Sequence, residues 1–200
     1  MTKHALAPKI KPYMSEKRYA HTLGVAKMAR LLAECCLPSK MEELVAAAFL
    51  HDISKELPIE EQKRILSYEG IVLDADEIGS PEIFHSYTAP HVIKRDFPEY
   101  ANEEILNAVS NHTVGAVDMT VFDEIIFLAD YIEEGRTYKS CINLRNYVLE
   151  NMSDDIFSNL KHLHIACIRS INATEQALIA KGKRISKKTE MVKKSLESRI

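Results

Sequence analysis

Apolar residues recur with the three-to-four-residue period of an α-helix along most of this chain. Between residues 15 and 36, Val25, Met28 and Leu32 share one helical face, and Ser15 is suited to cap the N-terminus of that helix. We find no segment with the alternating pattern of a β-strand, and six Gly and seven Pro leave few residues for the turns of an all-β protein. The pattern therefore predicts an all-α, single-domain helical bundle.

Several other segments carry the same period. A second helix is predicted to begin near Ser39, with Glu42 completing a capping box. A later helix is predicted to start around Thr88, because a proline such as Pro90 is tolerated in the first turn of a helix. Further helices are predicted in "PIEEQKRILSYEG", in "NEEILNAVSNH", in "TVFDEIIFLADYIEEG" and from about Ser153 to Lys181.

The chain has no internal repeat and no convincing linker. We expect an N-terminal tail over residues 1–14, one helical core over residues 15–182, and a basic segment over residues 183–200. That last segment forms either a tail or a final helix, and its charges are expected to be solvated rather than bound to polyphosphate or RNA.

Charge and composition restrict the functional class. The net charge of −3 gives no indication of DNA binding. The longest apolar block, "LVAAAFL", has seven residues, whereas about 18 are needed to span a bilayer, and the first residues lack the apolar core of a secretory signal. The four cysteines have no zinc-site spacing and are expected to be reduced thiols. These features favour a cytoplasmic protein that does not bind membranes.

Polar residues interrupt the apolar faces of these helices. A single buried histidine is more often a hydrogen-bonded core residue than a metal ligand. Several of them in one core would be costly unless they meet at one place, and a buried carboxylate needs a partner of opposite charge. The residues concerned are His21, His51, Asp52, His85, His112 and Asp130.

Shared coordination of a metal ion would explain why these side chains should lie together. Imidazole and carboxylate together suit iron, manganese, zinc or cobalt. His51 and Asp52 are adjacent at the end of a helix, so both can reach one ion there, and Asp52 has a second oxygen with which to bridge to another ion. Ions in two-metal hydrolytic sites lie roughly 3.5–4 Å apart.

The order of these residues resembles that of the HD-domain metal-dependent phosphohydrolases. Four segments, "RYAHTLGVAKMARLLAE", "AAFLHDISKELP", "EEILNAVSNHTVG" and "IIFLADYIEEGR", closely resemble the YqeK family over about residues 15–190. The resemblance implies an all-helical fold of the HD-domain type. It also implies symmetrical hydrolysis of diadenosine tetraphosphate to two ADP by a metal-activated water.

The resemblance also implies a metal set. His21, His51, Asp52 and Asp130 would hold the first metal ion. His85 and His112 would hold a second ion with Asp52 as the bridge, or would instead contact substrate phosphate above a one-metal site. The family resemblance suggests iron, and the donor set also permits manganese or cobalt.

Catalytic and substrate-binding roles follow from the same resemblance. Asp52 and Lys55 would be catalytic, with Asp52 orienting the nucleophile and Lys55 contacting phosphate. Lys55 could instead be an exposed helix lysine, although a functional role is favoured. Arg18 and Arg136 could equally be ordinary surface arginines. The residues expected to bind substrate are Arg18, Lys55, His85, His112, Thr113 and Arg136.

Two alternative functions are compatible with this donor set. One is an HD phosphohydrolase for deoxynucleotides or cyclic dinucleotides, and the other is a non-catalytic nucleotide sensor. The expected partner is a dinucleoside polyphosphate or an ADP- or GDP-like nucleotide, and the expected assembly is a homodimer. Four histidines are predicted not to bind metal: His4, His91, His162 and His164.

Overall fold

The structure is a computed structural model that describes residues 6–200. Over this range the chain contains eleven α-helices, several short 3₁₀ turns and no strand, which confirms the predicted all-α class. The helices, α1 to α11 in chain order, are Leu6–Ile10, Glu16–Cys36, Met41–Leu50, Ile59–Tyr68, Ala75–Ile78, Phe84–Asp96, Glu103–Asn111, Val121–Ile132, Lys139–Asn151, Ile156–Ala180 and Lys187–Glu197.

Helix α8 lies at the centre of the bundle, and nine of its twelve residues are buried. Helices α2, α3, α7, α9 and α10 all pack against it, and α10 also contacts α2, α9 and α11. The fully buried side chains of Leu50, Ile126 and Leu163 show how α3, α8 and α10 share one apolar core. None of the helices in residues 6–200 is both long and apolar enough to cross a membrane.

The second helix begins two residues after the predicted Ser39, and the predicted capping box is absent. Helix α3 begins at Met41, and its N-cap residue, Lys40, makes no side-chain capping hydrogen bond. Ser39 instead lies inside the 3₁₀ turn Pro38–Lys40. The fixed φ of Pro38 suits the first position of such a turn, so the chain already coils at Ser39 and the extended conformation that a serine cap requires is absent.

The predicted start of α6 at Thr88 is also wrong, because the helix begins at Phe84 and contains Pro90 in its interior. A proline inside a helix costs about 3 kcal/mol. The burial of Phe84 and His85 favours the earlier turn nonetheless, and the Ser54 hydroxyl donates a 2.9 Å hydrogen bond to the His85 carbonyl. His85 therefore lies on the first turn of a helix rather than in a loop.

Both ends of the described chain pack against the core. Leu6 and Ile10 are buried within residues 6–14, which the sequence analysis assigned to a tail. The basic C-terminal segment forms α11, whose Val192 and Leu196 are buried in the common core. Of the two alternatives for that segment, the structure shows a final helix. Helix α9 was not predicted at all.

An ion pair joins the C-terminal segment to the central helix. The Arg199 guanidinium donates hydrogen bonds to the Glu124 carboxylate, at 2.9 Å, and to the Met119 carbonyl. The side chain of Glu124 is fully buried, and its other oxygen lies 2.6 Å from Nδ1 of His164. A buried carboxylate requires partners of this kind, since removal of one leaves an uncompensated charge.

We expect Arg199→Ala to lower the free energy of unfolding by about 3 kcal/mol, because Glu124 stays buried with one partner fewer. Urea denaturation followed by circular dichroism measures this change. The exposed Lys194 on α11, the helix that precedes Arg199, provides a control, and Lys194→Ala should change stability by less than about 0.5 kcal/mol. Equal stability of the two variants would contradict the structural role given to Arg199.

Candidate metal centre

Five parts of the fold place the predicted histidines and aspartates together. Helix α2 carries one of them in its second turn, two follow the end of α3, one lies in the first turn of α6, one follows the end of α7, and one lies near the end of α8. In that order the residues are His21, His51, Asp52, His85, His112 and Asp130.

The carboxylate of Asp52 lies at the centre of this group and is 3% exposed. Its Oδ2 lies 3.4 Å from Nε2 of His51 and 3.7 Å from Nε2 of His21. Its Oδ1 lies 3.2 Å from Nε2 of His85 and 3.7 Å from Nε2 of His112. The two oxygens of one carboxylate therefore face two different pairs of imidazoles.

Asp130 completes the first of these two groups. Its Oδ1 lies 3.0 Å from Nε2 of His21 and 3.9 Å from Nε2 of His51. Both of these Nε2 atoms are buried and make no hydrogen bond to another described residue. Ligand atoms about 2.1 Å from one ion, at right angles to each other, lie about 3 Å apart. Buried donor atoms at these separations, without hydrogen bonds, fit a shared metal ion.

Backbone carbonyls orient two of the imidazoles. Nδ1 of His51 lies 2.7 Å from the Ala48 carbonyl, and Nδ1 of His112 lies 2.6 Å from the Val109 carbonyl. A carbonyl only accepts hydrogen bonds, so each Nδ1 carries the proton and each Nε2 presents its lone pair to the centre. Two overlapping sets of donor atoms result, each within 4.8 Å of one another: His21, His51 and Asp130, and His51, Asp52 and His112.

The electrostatics favour ionised carboxylates around this centre. Burial alone would raise the pKa of Asp52, but the surrounding imidazoles hold it well below its usual range, and His21 and Arg136 lower the pKa of Asp130 in the same way. Burial lowers the pKa of His85 to about 4. Burial also opposes the charged form of His21, but its interaction with Asp130 raises the pKa of His21 overall. A metal ion would compete with a proton for Nε2 of His21.

Three cations predicted to bind substrate lie against the centre. Arg18 Nη1 lies 2.7 Å from Oδ2 of Asp52, and Arg136 Nη2 lies 2.6 Å from Oδ1 of Asp130. Lys55 Nζ donates to the Glu82 carbonyl, at 3.0 Å, and contacts the ring of His85. Each of the three cations therefore contacts a residue of the candidate centre, and their binding of substrate stays a prediction.

The Thr113 hydroxyl borders the same group of imidazoles. It lies 3.1 Å from Nε2 of His112 and 3.3 Å from Nε2 of His85. Among the other histidines, His91 pairs with Glu69 and His164 with Glu124, while His162 contacts Tyr147. His4 lies outside the described residues.

Glu133 is a buried carboxylate that the sequence analysis did not identify. Its Oε1 accepts a 3.1 Å hydrogen bond from Nδ1 of His21, which leaves Nε2 of that ring facing the centre. Its Oε2 accepts from the Gly135 amide at 2.6 Å, and a side chain on Gly24 would clash with the same oxygen. Glu133 lies three residues after Asp130, so the helical spacing could have placed both carboxylates on one face.

Glu133→Ala should weaken metal binding about 10- to 100-fold, because the His21 ring loses the partner that fixes its tautomer and orientation. Titration of the metal-free protein with Mn²⁺ or Fe²⁺ measures this affinity. Glu134→Ala is the matched control, since Glu134 pairs with Lys27 at the surface, and it should bind metal as the parent does. Parental affinity in Glu133→Ala would contradict the orienting role.

Comparison with known proteins identifies a family and two similar enzymes. A family model described as "HD domain" matches residues 18–135. The symmetrical bis(5'-nucleosyl)-tetraphosphatase of Bacillus subtilis (strain 168) is 31% identical over 156 residues, which cover 76% of this chain and 81% of that protein. The enzyme of the same name from Staphylococcus aureus (strain NCTC 8325 / PS 47) is 32% identical over 145 residues, covering 72% of this chain and 73% of that protein.

A solved structure has the same fold over its whole length. It is the crystal structure of a "predicted HD superfamily hydrolase involved in NAD metabolism" from Clostridium acetobutylicum. The TM-score is 0.84 at 28% sequence identity, and the match covers 100% of this chain and 99% of that one. These findings confirm the resemblance drawn from the four sequence segments. The chain belongs to the HD domain family, in the group that includes the symmetrical bis(5'-nucleosyl)-tetraphosphatases.

Proposed function

We propose that this protein is a metal-dependent hydrolase that splits diadenosine tetraphosphate symmetrically into two ADP. The observation that carries the proposal is the convergence of four imidazoles with the carboxylates of Asp52 and Asp130, with three cations beside them. The relatives named symmetrical bis(5'-nucleosyl)-tetraphosphatases support the choice of substrate.

The metal would be held by the donors that surround the two oxygens of Asp52. A bound divalent ion supplies Lewis acidity, which makes a coordinated water more acidic and offsets charge on phosphoryl oxygens. His21, His51 and Asp130 would form one ion site with Oδ2 of Asp52. Iron is the metal we expect from the family resemblance, and manganese or cobalt also suits these donors.

The three cations would bind the phosphate chain. Arg18 and Arg136 expose 26% and 34% of their side chains, so their guanidinium groups can reach a substrate while they contact the site carboxylates. Guanidinium groups bind phosphoryl oxygens with paired hydrogen bonds. Lys55 adds a charge beside His85. Such groups stabilise the charge that builds up on the phosphoryl oxygens during hydrolysis.

The reaction consumes one water and breaks the central P–O–P link. The water oxygen forms a bond to one inner phosphorus, the bridging oxygen leaves with the other half, and two ADP result. Asp52 would orient the attacking water, as the resemblance implies. No covalent intermediate with a protein side chain is needed, since water itself supplies the oxygen.

We further propose that the centre holds two ions, because Oδ1 of Asp52 faces His85 and His112 while Oδ2 faces the other two imidazoles. The bound metal should therefore fall from about two per chain to about one in His85→Gln. Elemental analysis of the purified variant and of the parent measures this ratio. One ion in both proteins would instead assign His85 and His112 to direct phosphate contact.

Incubation with diadenosine tetraphosphate should give two ADP, and reaction in H₂¹⁸O should place one ¹⁸O in one of the two products. His51→Ala should lose both metal and hydrolysis, because the imidazole shared by both donor sets is gone. His162→Ala, outside the centre, is the control and should keep both. The appearance of ATP and AMP, or activity in metal-loaded His51→Ala, would overturn the proposal.

The same products distinguish the alternative functions. Faster hydrolysis of a deoxynucleotide or a cyclic dinucleotide than of diadenosine tetraphosphate would assign the centre to another HD phosphohydrolase activity. Tight binding of ADP without turnover under several metals would indicate a nucleotide sensor. The expected cytoplasmic location and homodimer stay predictions.

A further inference from the structure

A cavity of about 480 Å³ opens beside the metal centre. This volume lies within the range of about 300–1,000 Å³ that is typical of sites for small organic ligands. One wall is formed by residues 75–83, the opposite wall by the end of α10 and the segment that leads into α11, and Thr113 lies on the lining. Neither the donor set nor the three cations of the centre occupy this cavity.

The cavity and the metal centre share a border. Thr113 lines the cavity and also contacts the imidazoles of His85 and His112. Glu82 lines the cavity, and its carbonyl accepts the hydrogen bond from Lys55. A molecule whose phosphates lie at the centre can therefore extend directly into the cavity.

The inner surface of the cavity is apolar. Phe127 and Ile171, which belong to the buried core, line it, and Leu178 adds a third apolar side chain. A flat heteroaromatic base can pack against such a surface, and an aromatic ring is a favourable contact for it.

The charged groups of the two walls are largely paired with each other. Lys183 lies 2.8 Å from Glu82, and Lys188 lies 3.3 Å from Glu77. Glu175 pairs with Lys193 at 3.1 Å. The lining also contains Arg184 and Asp76, so it holds four carboxylates and two cations in all. This balance is unfavourable to a phosphate, whereas the carboxylates can accept hydrogen bonds from the N–H and O–H groups of an uncharged ligand.

We propose that this cavity binds one nucleoside of the dinucleotide, with its base against Phe127, Ile171 and Leu178. The proposal rests on the proposed function, because it takes the phosphate chain to lie at the metal centre. The division follows the charges: the cations at the centre take the phosphates, and the apolar cavity takes the uncharged end.

Thr174 offers a test, because it lines the cavity from an exposed position on α10. A tryptophan there would fill the space without replacing a core residue. With the metal-loaded protein, Thr174→Trp should bind ADP about tenfold or more weakly. Its affinity for pyrophosphate, which has no nucleoside, should stay within about twofold of the parent. Isothermal titration calorimetry measures both ligands without relying on turnover.

Two further variants complete the design. Gln176→Trp adds the same side chain to α10 outside the cavity lining and should bind ADP as the parent does. Ser80→Trp fills the cavity from the opposite wall and should reproduce the loss, so the test does not depend on the folding of one variant.

Unchanged ADP affinity in both cavity-filling variants would overturn the inference, as would an equal loss for pyrophosphate. Failure of the parent to hydrolyse diadenosine tetraphosphate would overturn the proposed function instead. A selective loss of ADP binding would then still assign a nucleoside to the cavity.

Discussion

The buried carboxylate of Asp52 is the charge around which the centre is arranged. Only 3% of the residue is exposed, so its charge must be met by protein groups or by an ion. The groups that meet it come from α2, the end of α3, α6 and the turn after α7, and Asp130 of α8 faces the same imidazoles. These helices must therefore pack so that their side chains compensate the charge of the Asp52 carboxylate.

Residues outside the donor set also hold the centre in position. Glu133 holds His21, and the backbone at the end of α8 is held in turn by Arg145 of α9, which donates to the carbonyls of Ile132 and Glu133. Arg145 thus supplies partners for carbonyls that a helix end leaves without intrahelical hydrogen bonds. Through these contacts α9, which carries no metal donor, helps to set the position of a metal-facing imidazole.

The sequence predicted the parts of this arrangement that repeat with a helical period. His21, His112 and Asp130 stand out because they occupy positions where the pattern calls for an apolar side chain. Glu133 did not stand out, since a carboxylate in "YIEEGR" looks like a solvated helix end until Gly24 and Gly135 are seen to leave room for it.

Local rules failed where tertiary contacts outweigh them. The helix start at Thr88 was inferred from the cost of Pro90, but the buried Phe84 and the hydrogen bond from Ser54 extend the helix past that residue. The cavity beside the centre could not be predicted, because it is formed by segments about a hundred residues apart, as the Lys183–Glu82 pair shows. No local sequence pattern predicts a contact between segments so far apart in the chain.

The ion pair between Arg199 and Glu124 has a consequence for the order in which the molecule matures. The two residues are 75 positions apart, and a ribosome delivers the chain from its N-terminus. Every donor of the metal centre therefore leaves the exit tunnel while the carboxylate of α8 still lacks its guanidinium. A nascent chain at that stage would carry all the metal ligands on a core in which the buried Glu124 is not yet paired with Arg199.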